Sequence, residues 1–263
     1  MFFSKPMAYD STKIFSIQHL IILTLTIIAI VIAVKYTKTS NKKSIKKIIC
    51  IITIVAWILE IIKIIFNIKI GNGSNLNTYI PLYYCSIMLY AGIFSSIGKG
   101  FLKRIGDVFL ATGGIVGGVL FLVFPTTSIT MYPIYHFISI QSFIYHGAMI
   151  YLGIIINKLN YITIEAKDIK YYAYLLFVMC LIAYIVNLKS GSNLMFISRN
   201  FPGTPIELIY RLTGKCFTFV ASLIQITLPF YTVLGIKKIL KKIVRYEVIS
   251  WETAKHDHID KLT

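Results

Sequence analysis

The sequence predicts an all-α, polytopic membrane bundle of seven transmembrane helices, with the amino terminus outside and the carboxyl terminus in the cytoplasm. Three observations lead there. Of 263 residues, 57% are hydrophobic and only 14% are charged, whereas a soluble domain is nearer half apolar and carries more charge. The apolar residues gather into seven runs, at roughly 14–34, 46–66, 79–97, 105–124, 134–156, 171–188 and 206–236. Each is near the ~20 residues that cross a bilayer. The basic residues lie between the runs and are unevenly shared: nineteen of the 27 fall on one side and six on the other. By the positive-inside rule the richer side is cytoplasmic.

Composition also excludes some classes. The formal charge of +17 suits nucleic acid only when the basic residues form a patch. Here they are segregated into loops, so membrane topology accounts for them and no nucleic-acid partner is predicted. Cys50, Cys85, Cys180 and Cys216 show no paired spacing, so neither a zinc motif nor a disulfide framework is readable. With no metal and no nucleotide motif, no cofactor is expected. The first run follows a polar opening and shows no small-residue cleavage site, so it reads as a retained helix. Residues 1–236 form the predicted seven-helix domain, and 237–263 a basic amphipathic tail in the cytoplasm.

In chain order, the first helix carries His19 near its outer end. The second carries Trp57, Glu60 and Lys63 at i, i+3 and i+6. A carboxylate at Glu60's depth costs about 2.5–3.5 kcal/mol, so it must face protein or water. It serves either as an ion pair with Lys63 or as part of a site. The third run, Tyr79-Ile80-Pro81-Leu82-Tyr83-Tyr84-Cys85-Ser86, is expected to open a helix with Pro81 in its first turn. Asn77 or Thr78 would cap it. Cys85 then sits two turns in, where a lone cysteine is more often a small buried hydrophobe. The fourth reads Gly113-Gly114-Ile115-Val116-Gly117-Gly118, a close-packing pattern. Asp107 is expected to pair with Lys103 and Arg104 at the inner surface.

The fifth helix places Tyr135, Ser139, Ser142 and His146 on one stripe. Ser142, one turn before His146, is positioned to set its tautomer, and Gly147 leaves room beside the ring. His136 is expected at the interface. After the sixth helix, Arg199 lies in a shaped outer loop with Pro202-Gly203-Thr204, either a connector or a holder of a phosphate. The seventh run is long enough to tilt or break, and it keeps Arg211 and Lys215 inside it. Beyond Gly235, Lys237, Lys238, Lys241, Lys242 and Arg245 take one face of the tail. That face suits anionic inner-leaflet lipids, at ~1 kcal/mol per basic residue. His256-Asp257-His258 reads as part of a disordered tail rather than a metal site.

At ~1.5 Å per residue, His19, Glu60 and Cys85 fall in the outer half of the bilayer and His146 near its centre. A thiol and an imidazole at similar depth permit nucleophilic catalysis. Pro81-Leu82-Tyr83-Tyr84-Cys85, His146-Gly147 and Pro202-Gly203-Thr204, with Phe15-Ser16, His19, Trp57 and Glu60, carry a resemblance to a known family. Together they resemble the YwaF-type integral membrane proteins of bacteria and the related eukaryotic transmembrane protein 164. The resemblance implies seven helices and, from its eukaryotic branch, a phospholipid acyltransferase that uses a cysteine and a histidine. Those roles would fall on Cys85 and His146. Lys215-Cys216-Phe217 departs from the aromatic, proline-containing pattern of that family.

The reading is thus a multi-pass cell-membrane acyltransferase acting on membrane phospholipids through a thioester. Cys85 and His146 are catalytic, and His19, Glu60, Ser142 and Arg199 orient groups or bind substrate. A lipid hydrolase is the neighbouring alternative. A transporter or binding protein with a buried polar cavity is the alternative from another class. The inner halves of the helices are poor in polar groups, which argues against transport.

Overall fold

The computed structural model describes residues 2–37, 41–70 and 76–259, with side chains through 243. Nine α-helices account for most of these residues, and no strand occurs among them: α1 (Ile17–Tyr36), α2 (Lys42–Lys69), α3 (Ile87–Ile97), α4 (Gly100–Ala111), α5 (Gly113–Val123), α6 (Phe137–Lys158), α7 (Ile169–Ser190), α8 (Pro205–Thr213) and α9 (Phe217–Ile259). Six stretches are long and apolar enough to cross a membrane, Gly100–Val123, Ala166–Ser190 and Pro205–Ile243 being composite. The third run supplies only the short apolar helix Ile87–Ile97. Large hydrophobic side chains stand exposed along α1, α2 and α7. In water such a surface would drive association; in lipid it is the ordinary outer face of a span.

The helix expected from Pro81 does not form there. Residues 79–86 are irregular, and α3 begins at Ile87 with Ser86 as its N-cap residue. Cys85 therefore precedes the helix. Irregular backbone at membrane depth needs partners for its polar groups, and tyrosines supply them. Tyr90 Oη donates to Pro81 O at 3.2 Å, and Tyr145 Oη to Cys85 O at 3.1 Å. Leu82 O accepts from Met195 N at 3.1 Å. Tyr83 Oη donates to Asn77 O at 2.8 Å, tying the segment to the 3-10 turn Leu76–Thr78. Asn77 and Thr78 thus lie in that turn, well ahead of the helix start.

Two further breaks and one helix-internal proline occur among the described residues. The fourth run is two helices, interrupted at Thr112 (φ −128°, ψ −77°). Asn157 Nδ2 donates to Ala111 O at 2.7 Å, satisfying a carbonyl at the break. The seventh run breaks at Gly214 (φ 50°), a conformation that favours glycine. Arg211 and Lys215 flank this break, and Arg211 pairs with Glu207 at 2.5 Å on the exposed α8. Within α9, Pro229 has no N–H for Gln225 O. Tyr172 Oη takes that carbonyl at 3.2 Å. Tyr172 is itself fully buried and bonded to Tyr84 Oη at 2.6 Å.

At one end of the bundle the N-terminal segment is laid on residues 125–136. Met7 N reaches Met131 O, Thr12 N reaches Ile129 O, and Phe137 N reaches Phe2 O. His136 is buried there, stacked on Tyr132 at 4.2 Å and capping α6 through Ile138 N. It is buried by protein at this end of the bundle, beside the start of α6. At the other end Asp107 is also buried, held by Lys103 and by Ser95 Oγ at 2.6 Å. Arg104 turns instead to Asp168, with bonds of 3.0 and 2.5 Å, and to Thr163 O. Asp107 thus keeps Lys103, as expected, within α4, while Arg104 goes to Asp168; both carboxylates are buried and both cations part-exposed. The Arg104 bonds tie α4 to the start of α7.

α9 continues through Gly235 without a break, so the tail is an extension of the last span. Lys237 Nζ turns inward to Asn157 Oδ1 at 2.9 Å. Its place on the outward basic face is corrected accordingly. Arg245 and His256-Asp257-His258 lie outside the residues whose side chains are described.

Candidate functional site

Cys85 and His146 come from different elements and meet the same helix. Cys85 Sγ lies 3.7 Å from Gly117 O on α5. Four residues on, Phe121 stacks on the His146 ring at 3.6 Å, nearly parallel. Between them, a Cβ on Gly118 would stand 2.9 Å from His146 O. The glycine pattern does what its spacing predicts: it brings the α6 backbone against α5 at the level of the histidine. Tyr145, next to His146, completes the arrangement through its bond to Cys85 O.

His146 Nδ1 lies 2.6 Å from Ser142 O. A carbonyl only accepts, so Nδ1 carries the proton and Nε2 keeps its lone pair. The tautomer is fixed by the Ser142 backbone; the hydroxyl instead turns to Gln141 Oε1 at 3.4 Å. Cys85 is half-buried and free. Among the described residues no hydrogen bond joins it to His146. Their relation is one of shared scaffold: the α5 glycine turn and Tyr145.

Glu60 is buried and ion-paired with Lys63, Nζ to Oε1 2.7 Å. The pair lies on α2 between Trp57, bonded to Leu89 O at 3.3 Å, and Asn67, bonded to Thr78 O at 2.5 Å, residues on either side of the Cys85 segment. His19 is fully buried, and both ring nitrogens are engaged by backbone. Nδ1 accepts from Phe15 N at 3.0 Å, and Nε2 donates to Leu122 O at 3.0 Å. It ties the start of α1 to the end of α5. Its ring meets Phe143 (6.1 Å), which meets Phe121 (5.6 Å), so it stands two rings from His146. Arg199 is exposed on a loop organised by Asn193 Oδ1, which accepts from Ser198 N and Arg199 N at 3.0 Å each. That loop is pinned to the Cys85 segment through Met195, and Tyr83 packs on Phe196 at 4.9 Å. Among the described residues no hydrogen bond or ion pair links Arg199 to Cys85, His146 or Glu60.

Sequence reasoning missed Tyr145, Phe121, Gly117 and Lys63 as members of this cluster. Their signal was present in part, since Tyr145 neighbours His146 and Lys63 follows Glu60 by one turn. Beside the cluster, α1 and α6 enclose an apolar groove of ≈ 560 Å³ whose lining includes Thr26, Ile30, Phe143 and Gly147. Among the described residues no three His, Cys, Asp or Glu side chains converge as metal ligands would.

Apolar helices of spanning length, an unwound segment satisfied by tyrosines, and polar groups gathered inside the bundle define a membrane protein with an internal polar site. The chain belongs to the TMEM164 family, whose model matches residues 14–234. The match takes in every residue of the cluster, and it bears out the resemblance to transmembrane protein 164. No curated protein and no solved structure matches the chain.

Proposed function

We propose that this chain is a phospholipid acyltransferase of the cell membrane, working through a thioester on Cys85. The observation that carries the reading is the free thiol and a histidine whose Nε2 has no hydrogen-bond partner among the described residues, both fastened to one glycine turn of α5. Cys85 Sγ attacks the ester carbonyl of a donor phospholipid, and its proton passes to His146 Nε2. The tetrahedral intermediate collapses; the C–O bond breaks, and His146 returns the proton to the departing lysophospholipid oxygen. His146 then takes the proton of an acceptor hydroxyl, which attacks the thioester. The thiolate leaves and recovers that proton. Water as acceptor would make the same first half a hydrolase. Incubation with a fluorescent phospholipid and a lysophospholipid, followed by mass spectrometry, tests this. An acyl group on the Cys85 peptide is expected; turnover with no acyl-enzyme at Cys85 would overturn the mechanism.

The orientation belongs to the same proposal, with the amino terminus outside and the 35–47 loop in the cytoplasm. It rests on the split of basic residues. In a Cys216→Ser background, an impermeant maleimide on intact cells is expected to label Asp10→Cys and spare Lys43→Cys. The reverse pattern would invert the topology.

The tail from residue 237 is proposed to contact anionic inner-leaflet lipid through Lys238, Lys241 and Lys242. Replacing these three with Gln should weaken that contact by about 3 kcal/mol in total, at ~1 kcal/mol each, and leave the bundle folded. Hydrogen exchange in nanodiscs checks it. Equal protection of the tail with and without anionic lipid would count against the contact.

A further inference from the structure

The Glu60–Lys63 pair does more than neutralise a buried carboxylate. Glu60 is 3% exposed, while Lys63 keeps 23% of its side chain exposed. Their contact is 2.7 Å, Nζ to Oε1. Beyond Glu60, the Lys63 ammonium has no hydrogen-bond acceptor among the described residues, although it carries three donors. Two bonds on either side of it tie α2 to the chain around Cys85. Trp57 Nε1 reaches Leu89 O at 3.3 Å, and Asn67 Nδ2 reaches Thr78 O at 2.5 Å. The 60–63 turn of α2 lies between these pins, and the unwound 79–86 segment that carries Cys85 lies between their two acceptors, Thr78 and Leu89. Cys85 too is only half-buried.

Resting on the acyltransferase reading, we propose that Lys63, held by Glu60, is the anion receptor of this site and takes the phosphodiester of a glycerophospholipid. The pair is neutral when empty, which an apolar setting tolerates. A ligand phosphate brings the one negative charge that the idle ammonium donors can accept. The ester carbonyls of such a lipid lie a few bonds from its phosphate, so a head group on Lys63 leaves an ester near Cys85. Glu60 is then a positioning residue that keeps the ammonium charged and in place.

The test uses the full chain in detergent and needs no acyl transfer. Cys85 is alkylated with iodoacetate or iodoacetamide, and its peptide is followed by mass spectrometry, with the other three cysteines as internal controls. In each reaction the S–C bond forms, iodide leaves and the thiol proton goes to buffer. The anionic reagent gains from a nearby cation and the neutral one does not. Lys63→Gln should lower the iodoacetate-to-iodoacetamide rate ratio at Cys85 about fivefold or more, and Lys63→Arg should retain most of it. The double variant Glu60→Gln with Lys63→Gln, which buries no unpaired charge and removes the repelling carboxylate, should give a ratio between those of Lys63→Gln and the wild type. Phosphatidylglycerol should protect Cys85 from iodoacetate, and diacylglycerol should not.

An unchanged ratio in both Gln variants, a Cys85 inert to both reagents, or equal protection by diacylglycerol would overturn the proposal. Protection by inorganic phosphate with none by phosphatidylglycerol would assign the site to a soluble anion and overturn the lipid assignment. An enzyme with no turnover but a Lys63-dependent ratio refutes acyl transfer alone. Loss of turnover in Cys85→Ser with a Lys63-independent ratio refutes the anion receptor alone.

Discussion

Cys85→Ser is expected to abolish acyl transfer while leaving the bundle folded. The serine hydroxyl is close in size to the thiol, and the one hydrogen bond of Sγ among the described residues, to Gly117 O at 3.7 Å, can be remade by a hydroxyl. The backbone bond from Tyr145 to Cys85 O does not depend on the side chain. Chemistry is the term that changes, because an alcohol is far harder to deprotonate than a thiol. His146→Gln should lower the rate by ~10²–10⁴, the usual contribution of a general base. Gln can still bond Ser142 O, yet it cannot carry the proton. Cys50→Ser and Cys180→Ser serve as controls, since neither touches the α5 turn. The measurement is lysophospholipid acylation by the purified chain, with thermal unfolding alongside. Wild-type turnover with undiminished rates in both Cys85→Ser and His146→Gln would sink the mechanism.

Much of the fold was legible because lipid imposes a simple rule. Long apolar runs must be helices, and α1, α2, α6 and α7 follow their runs within a few residues. What sequence periodicity hid were the places where the helix gives way. At residues 79–86, a proline followed by apolar residues looks like a helix start. The segment stays unwound because Tyr83, Tyr90, Tyr145 and Met195 take up polar groups around it. Three of those four partners lie on other elements, so the cost of the unwound backbone cannot be judged locally. Thr112 and Pro229 teach the same lesson, each with a distant side chain, Asn157 or Tyr172, attending the break. The site was legible in its chemistry and not in its geometry. Cys85, His146 and Glu60 stood out as groups that are costly or reactive at depth. His19 stood out for the same reason, but its ring is consumed by two backbone bonds. Lys63 looked like the counter-ion of Glu60, and the fold keeps that pair at 2.7 Å.

Gly118→Val is expected to lose both stability and activity, because one small residue sets the distance between α5 and α6 at the histidine. A Cβ there would meet Ile150 Cγ1 at 2.6 Å and His146 O at 2.9 Å. Ile150 can rotate, whereas the carbonyl moves only with the α6 backbone. Overpacking of this kind costs ~1–3 kcal/mol, more than the few tenths that valine recovers over glycine in helix propensity. Relief comes by separating the helices, which opens the Phe121–His146 stack from its present 3.6 Å and draws Gly117 away from Cys85. Gly235→Ala is the matched control. It too is a helical glycine, on α9, but nothing lies within 4 Å of the added Cβ. That change should hold or raise stability, by up to ~1 kcal/mol. Thermal unfolding in detergent compares the two, and acylation assays below the lower Tm separate damage to the site from global unfolding. Equal Tm and equal rates in Gly118→Val and Gly235→Ala would show that the α5 glycine turn does not hold the cysteine and histidine in register.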